Sequence, residues 1–129
     1  MKKYLSSALL SLACMSAYAA SAESVRAGVH FYNNGAVPTT TVTVIVPAST
    51  NTNGIDIKTC GLNVQAGTAE NIVALYPDGT EHTLFHVFGS SGTSQPCPYP
   101  ISVPGGIQLG VFASGGTQNG INITYDLVN

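Results

Sequence analysis

The sequence predicts an all-β fold, an antiparallel β-sandwich of jelly-roll or immunoglobulin-like Greek-key type with about seven or eight short strands. Three observations predict this class. Several short segments alternate apolar and polar residues, which is the period of a half-buried strand. Turn signals rich in Gly, Pro, Asn and Asp separate these segments. No segment keeps a helical period over several turns.

The start of the chain has the pattern of a secretory signal peptide. A basic pair at residues 2–3 precedes an apolar run from Leu5 to Met15 that is too short to span a bilayer. Two cleavage sites of the small-x-small kind follow, at residues 17–19 and 20–22. We therefore expect a signal peptide over residues 1–22 and a single secreted domain over residues 23–129, in the periplasm, on the cell surface or outside the cell.

The alternative for this segment is a lipoprotein signal that ends at Cys14. Lipid attachment usually needs Leu three residues before the cysteine, and Ser11 stands there instead. Ser11 therefore favours cleavage after residue 19 or residue 22, and lipid attachment at Cys14 is the alternative mature start.

The charge of the expected secreted domain excludes two classes of partner. Of the 4 basic residues, Lys2 and Lys3 leave with the signal peptide, so 2 basic residues face 6 acidic ones and the net charge is 2 − 6 = −4. Phosphate contacts need several Lys and Arg side chains, so we expect no nucleic-acid partner and no binding to an anionic membrane surface. No second apolar run reaches transmembrane length, so we expect no membrane span.

Cys60 and Cys97 are the two cysteines that remain after Cys14 is removed. An even pair in an oxidising compartment predicts a disulfide between them. No Cys-x-x-Cys motif is present, which argues against a redox role.

The first half of the domain contains three alternating segments. Residues 24–32 and 39–46 alternate, and the turn at residues 33–35 separates them. Pro47 ends the second segment because it has no amide hydrogen to donate. A polar loop over residues 48–54 leads to a short strand over residues 55–60, which Gly61 is expected to interrupt.

A β-hairpin over residues 71–88 is the clearest local prediction. Pro77, Asp78 and Gly79 have the residue types of a three-residue hairpin loop with a glycine bulge. The expected register pairs Tyr76 with Thr80, Ala74 with His82 and Ile72 with Leu84. One face then carries Ile72, Ala74, Tyr76, His82, Leu84, His86 and Phe88, and the other carries Val73, Leu75, Glu81, Thr83, Phe85 and Val87.

Both faces of this hairpin are rich in apolar groups, so we expect it to be covered on both sides for part of its length. The second face is expected to meet the core. The first face is covered either by a neighbouring loop, such as residues 89–100, or by a partner. The candidate interface residues are Ile72, Tyr76, His82, Leu84, His86 and Phe88.

The second half of the domain begins with a long irregular segment over residues 89–100, in which three prolines surround Cys97 and exclude a central strand. The disulfide is expected to hold it. Short strands are expected over residues 101–103 and 107–112. After a flexible loop over residues 114–120, residues 121–128 close the chain with regular alternation.

Catalytic and metal-binding patterns are absent from the sequence. His82 and His86 lie four residues apart on a strand, roughly 13 Å, which is too far for one metal ion. There is no His-x-His motif and no Gly-x-Ser-x-Gly elbow. We therefore expect no metal, no cofactor and no enzymatic activity.

Two non-enzymatic functions fit the sequence. The first is assembly or adhesion at a cell surface, in which strands pair across copies or with a protein partner, as in fimbrial subunits. The near-terminal Tyr of chaperone-usher pilins is replaced here by Val128, and the disulfide lies later in the chain than in that family.

The alternative function is carbohydrate binding. Residues 110–116 and 120–125 resemble the closing strands of jelly-roll carbohydrate-binding modules, which would imply a glycan ligand. The sequence has no Trp, which such modules favour as a sugar platform. The candidate ligand-binding residues are Tyr99, Asn122 and Tyr125.

Overall fold

A computed structural model describes residues 26–38, 41–98, 100–115 and 118–129. Within these ranges the chain forms nine strands and no helix. They are β1 (His30–Asn34), β2 (Thr43–Val46), β3 (Gly54–Val64), β4 (Thr68–Leu75), β5 (Glu81–Gly89), β6 (Thr93–Pro96), β7 (Ile101–Pro104), β8 (Gln108–Ser114) and β9 (Gly120–Leu127).

The strands form two antiparallel sheets that pack face to face. The first, here called the β3 sheet, has the order β1-β9-β3-β6, with β7 also paired to β3. The second, the β4 sheet, has the order β2-β8-β4-β5. Apolar side chains from both sheets meet in one core. The predicted all-β antiparallel sandwich with one disulfide is confirmed.

The strand β3 is the longest in the described chain and has partners along both sides. Its first part, Gly54–Ile57, pairs with β7, and its last part, Gly61–Val64, pairs with β6. Along the opposite side it pairs with β9. The predicted interruption at Gly61 is therefore wrong, because Gly61 lies within the ladder and faces both Pro96 and Asn122.

A bulge in β3 changes the sequence parity of the residues that face the core. The register to β9 shifts between Ile57 and Thr59. Ile57 is buried in the core before the bulge, and Cys60 and Leu62 are buried in it afterwards. One extra residue therefore keeps both halves of the strand facing the same core, although their apolar positions have opposite parity in the sequence.

The turn of the predicted hairpin is confirmed. The amide of Tyr76 donates to the carbonyl of Thr80 at 2.9 Å, and the amide of Gly79 donates to the carbonyl of Tyr76 at 3.0 Å. Gly79 has a φ of 86°, in the left-handed region that glycine adopts without strain. The Asp78 Oδ1 accepts the amide hydrogen of Thr80 at 2.8 Å.

The predicted register holds only next to this turn. Ala74 pairs with His82 as predicted, but a shift between Ile72 and Val73 pairs Ile72 with Phe85 instead of Leu84. The expected assignment of faces is therefore wrong for β4, where Ile72 and Ala74 face the core cluster instead of Val73 and Leu75. It holds for Val87, which lies in this cluster, and for Phe85, which packs against it.

The strand β4 is nevertheless buried on both faces. Ile72 and Val73, which point to opposite sides of the sheet, are each 0% exposed. The expectation of a hairpin covered on both sides for part of its length is met by this strand, whereas much of β5 is exposed.

Two buried asparagines fix the loops at the two ends of β3. The Nδ2 of Asn51 donates to the carbonyls of Pro104 and Ile107, both at 2.7 Å. At the other end, the Oδ1 of Asn119 accepts from the amide of Gln65 at 2.8 Å and from the Thr68 hydroxyl at 3.0 Å. Both asparagines lie in segments that the sequence predicts as polar loops.

The disulfide between Cys60 and Cys97 is present and connects β3 to the segment that follows β6. The Cα atoms of the two cysteines are 5.3 Å apart, and the amide of Cys97 donates to the carbonyl of Cys60 at 3.1 Å. The bond therefore fixes the proline-rich segment against the centre of the β3 sheet.

Replacing Cys97→Ser should lower the free energy of unfolding by about 4 kcal/mol, because opening a loop of this length restores chain entropy to the unfolded state. Urea unfolding of the variant beside the oxidised and the reduced wild-type protein measures the effect. The variant should match the reduced protein. An unfolding midpoint equal to that of the oxidised protein would contradict the stabilising role.

Candidate functional site

The bulge of the hairpin divides the candidate interface residues between two environments. Ile72 lies in the core, and Tyr76 and Leu84 are half-buried and pack against it. The rings of Tyr76 and His82 make an edge-on contact with centroids 4.9 Å apart. Tyr76, His82 and Leu84 therefore lie at the rim of the core, at the hairpin end of the sandwich.

The remaining two candidate residues lie on the outer side of the β4 sheet. His86 pairs with Asn71, and its Nδ1 lies 2.7 Å from the Asn71 Oδ1. Phe88 is 59% exposed. The structure therefore does not bring the six candidate residues together on one face.

The candidate ligand-binding residues do not form one site either. Tyr99 lies outside the described residues. Asn122 is exposed on the outer face of the β3 sheet, between Asn33 and Gly61. Tyr125 packs against the core on the opposite face, and its ring stacks on His30 with centroids 5.1 Å apart.

A short segment ahead of β1, here called the strap (Arg26–Val29), crosses the outer face of β9. The amide of Gly28 donates to the Thr124 Oγ1 at 3.0 Å, and the amide of Val29 donates to the Asp126 Oδ1 at 2.7 Å. A Cβ at residue 28 would lie 2.5 Å from backbone atoms of Tyr125. Only glycine allows this close crossing, which places Arg26 over the outer face of the β3 sheet.

The strap forms one wall of a depression of about 430 Å³, here called the charged cavity. It is lined by Arg26, Asp56, Ile57, Lys58, Pro100, Ile101, Ser102 and Asp126. After residue 22 the sequence contains two basic residues, Arg26 and Lys58. Both therefore lie at the same site, which the sequence analysis did not identify.

The carboxylates of the charged cavity are neighbours because of strand register. Asp56 lies directly opposite Asp126 on β9 and opposite Ser102 on β7. Like charges in such positions repel. The Lys58 Nζ, which lies 3.5 Å from the Asp56 Oδ2 and 3.9 Å from the Asp126 Oδ2, offsets this repulsion. These groups are partly exposed, so each ion pair contributes only modestly to stability.

Hydrogen bonds hold Asp56 in its ionised form. The Ser102 hydroxyl donates to the Asp56 Oδ1 at 2.8 Å. This bond and the nearby Lys58 ammonium lower the pKa of Asp56 below its ordinary value, although partial burial opposes them. The cavity therefore presents fixed hydrogen-bond acceptors at neutral pH.

A further carboxyl group, that of Glu70, lies inside the sandwich. The side chain is fully buried, and neither of its carboxyl oxygens has a hydrogen-bond partner. Glu70 pairs with Val87 and Ala113, both core residues. Desolvation raises its pKa to about 7. Since Glu70 has no exposed surface, it cannot contact a ligand in solvent.

Two other kinds of feature are absent from the described part of the chain. In it, no group of three or more His, Cys, Asp or Glu side chains is placed to hold a metal ion. It also contains no helix with the length and apolar character that a membrane crossing requires.

The edge strand β1 is the second candidate site. Among the described strands it pairs only with β9, so its other side is open. Val29, just ahead of β1, and Phe31, within it, are 74% and 64% exposed, more than any other large apolar residue of the described chain. An open strand edge beside exposed apolar side chains can pair with another chain.

The other edges carry features that hinder such pairing. The strands β6 and β7 end in Pro96 and Pro104. The strands β2 and β5 contain register irregularities, and β5 also begins with the charged Glu81. In β1 there is no proline, no Asp, Glu, Lys or Arg, and no shift of register.

Comparison with protein-family models, with curated proteins and with solved structures finds no match for this chain. What the charged cavity and the β1 edge can bind therefore follows from their geometry alone.

Replacing Glu70→Gln should remove a pH dependence of stability. Between pH 4.5 and about 7 the unfolded chain loses the Glu70 proton while the folded protein keeps it, so stability falls as pH rises. The wild-type protein should lose about 3 kcal/mol across this range through Glu70.

Urea unfolding between pH 4 and pH 8 measures this effect. The slope should be much reduced in Glu70→Gln and unchanged in the control Glu81→Gln, because Glu81 is exposed. Identical slopes for the wild-type protein and Glu70→Gln would contradict the assignment.

Proposed function

We propose that the protein is a secreted, non-enzymatic binding protein that assembles with copies of itself through the open edge of β1. The observation that carries this proposal is a contrast between strand edges within the described residues: β1 has no proline, no charged side chain and no shift of register, whereas each of the other edges has at least one of these features.

Strand addition at β1 would use two kinds of contact. Unpaired main-chain groups along His30–Asn34 supply hydrogen bonds to the new strand, and these give most of the affinity. The side chains of Val29 and Phe31, which are exposed in the single chain, would lose their contact with water. Pairing of β1 with β1 gives a closed dimer, and pairing with a different edge gives a filament.

The chemistry of the rest of the chain supports an extracellular setting. The signal-peptide pattern precedes the domain, and the Cys60–Cys97 disulfide is compatible with an oxidising compartment. Low charge density offers little electrostatic protection against association. The proposed role needs binding surfaces only, and no catalytic group takes part in it.

Replacing Phe31→Lys should abolish self-association, because a cation on an edge strand opposes pairing and removes the apolar contact. The control is Phe88→Lys, a change of the same kind at an exposed phenylalanine on the other sheet. Sedimentation and electron microscopy of the secreted protein measure assembly, and thermal unfolding checks that both variants remain folded.

The wild-type protein and Phe88→Lys should both form concentration-dependent oligomers, while Phe31→Lys should remain a folded monomer. A wild-type protein that stays monomeric at all concentrations would contradict the proposal. Loss of assembly in Phe88→Lys with normal assembly in Phe31→Lys would assign the interface to the hairpin instead.

A further inference from the structure

We infer that the charged cavity binds an acidic saccharide, whose carboxylate pairs with Arg26 and whose hydroxyls donate to Asp56 and Asp126. This site adjoins the β1 edge through Val29, whose amide bonds Asp126, but it uses other side chains, and binding at it does not depend on self-assembly.

The volume of the charged cavity, about 430 Å³, lies in the range that small-molecule sites occupy. Three adjacent strands supply its floor: Asp56 comes from β3, Ser102 from β7 and Asp126 from β9. Polar groups on rigid strands are held in place before the ligand arrives, which lowers the entropic cost of binding.

Arg26 provides the unused positive charge of the cavity. Among the described residues, its guanidinium has no ion pair or hydrogen bond, whereas the Lys58 ammonium is shared between two carboxylates. A guanidinium presents parallel N–H donors that match a carboxylate in a two-point contact. The free group that lines the cavity is therefore suited to a ligand carboxylate.

The two aspartates decide what else the ligand must carry. Each has oxygen lone pairs left after its bonds to Ser102, Lys58 or Val29, and ionised carboxylates accept hydrogen bonds only. A compact anion such as phosphate would meet these carboxylates with like charge. A sugar acid carries one carboxylate for Arg26 and several hydroxyls for the aspartates, so it satisfies both kinds of group.

The binding experiment uses an array of oligosaccharides that contain uronic or sialic acids, each beside its carboxyl-reduced counterpart, followed by calorimetry on the strongest binder. The acidic form should bind at least tenfold more tightly than the reduced form, as expected for a hydrogen-bonded charge pair. Equal binding of the two forms, or no binding of any acidic form, would overturn the inference.

Variants of Arg26 test whether the saccharide binds in the charged cavity. Arg26→Gln should weaken binding of the acidic form at least tenfold, and Arg26→Lys should weaken it less, because the charge remains and the two-point contact is lost. Glu81→Gln, on another sheet, should bind normally. Unchanged affinity in Arg26→Gln would overturn the inference.

The variant Phe31→Lys separates the two sites. If the charged cavity binds a saccharide independently, this variant should keep the affinity of the wild-type protein whether or not it assembles. A loss of saccharide binding in a folded Phe31→Lys variant would overturn the independence of the cavity.

Discussion

The pairing of β3 with three other strands is the constraint on which the β3 sheet depends. β3 pairs with β9 on one side and with β7 and then β6 on the other. Its side chains Ile55 and Leu62 are fully buried in the core. One cysteine of the disulfide, Cys60, lies on β3. The loops that the buried Asn51 and Asn119 hold lie at the two ends of the strand. Strands that are distant in sequence therefore take their positions from this one strand.

The bulge in β3 couples the core, the disulfide and the charged cavity. Because β-strand side chains alternate, a regular strand with Ile57 in the core would place Lys58 outside, Thr59 inside and Cys60 outside. The extra residue leaves Lys58 near the outer carboxylates, and it turns Cys60 inward, where it meets Cys97. A single local irregularity thus fixes a covalent bond on one face of the sheet and an ion-pair network on the other.

The parts of the fold that could be predicted from the sequence are those with a local signal. Alternation predicted strands, residues 77–79 predicted the turn, and the cysteine count predicted the disulfide. Bulges moved residues between faces, which is why the pairing of Ile72 with Leu84 was wrong. Ile57 and Cys60 are both apolar but lie an odd number of positions apart, and this break in the alternation was a sequence signal of the β3 bulge.

The charged cavity had no such signal in the sequence. Asp56 and Asp126 meet only through the register of strands that are far apart in sequence. The close crossing at Gly28, which places Arg26 at the cavity, has no local sequence pattern either.

Within the described residues β1 is an open edge without proline, charge or register shift, and assembly at this edge is the central proposal. Hydrogen–deuterium exchange, compared between dilute monomer and assembled protein, tests it most directly, because open-edge amides exchange freely until a strand pairs with them. The account predicts that assembly slows exchange within His30–Asn34 and leaves Glu81–Gly89 unchanged. Slower exchange confined to Glu81–Gly89, or no change within His30–Asn34, would contradict it.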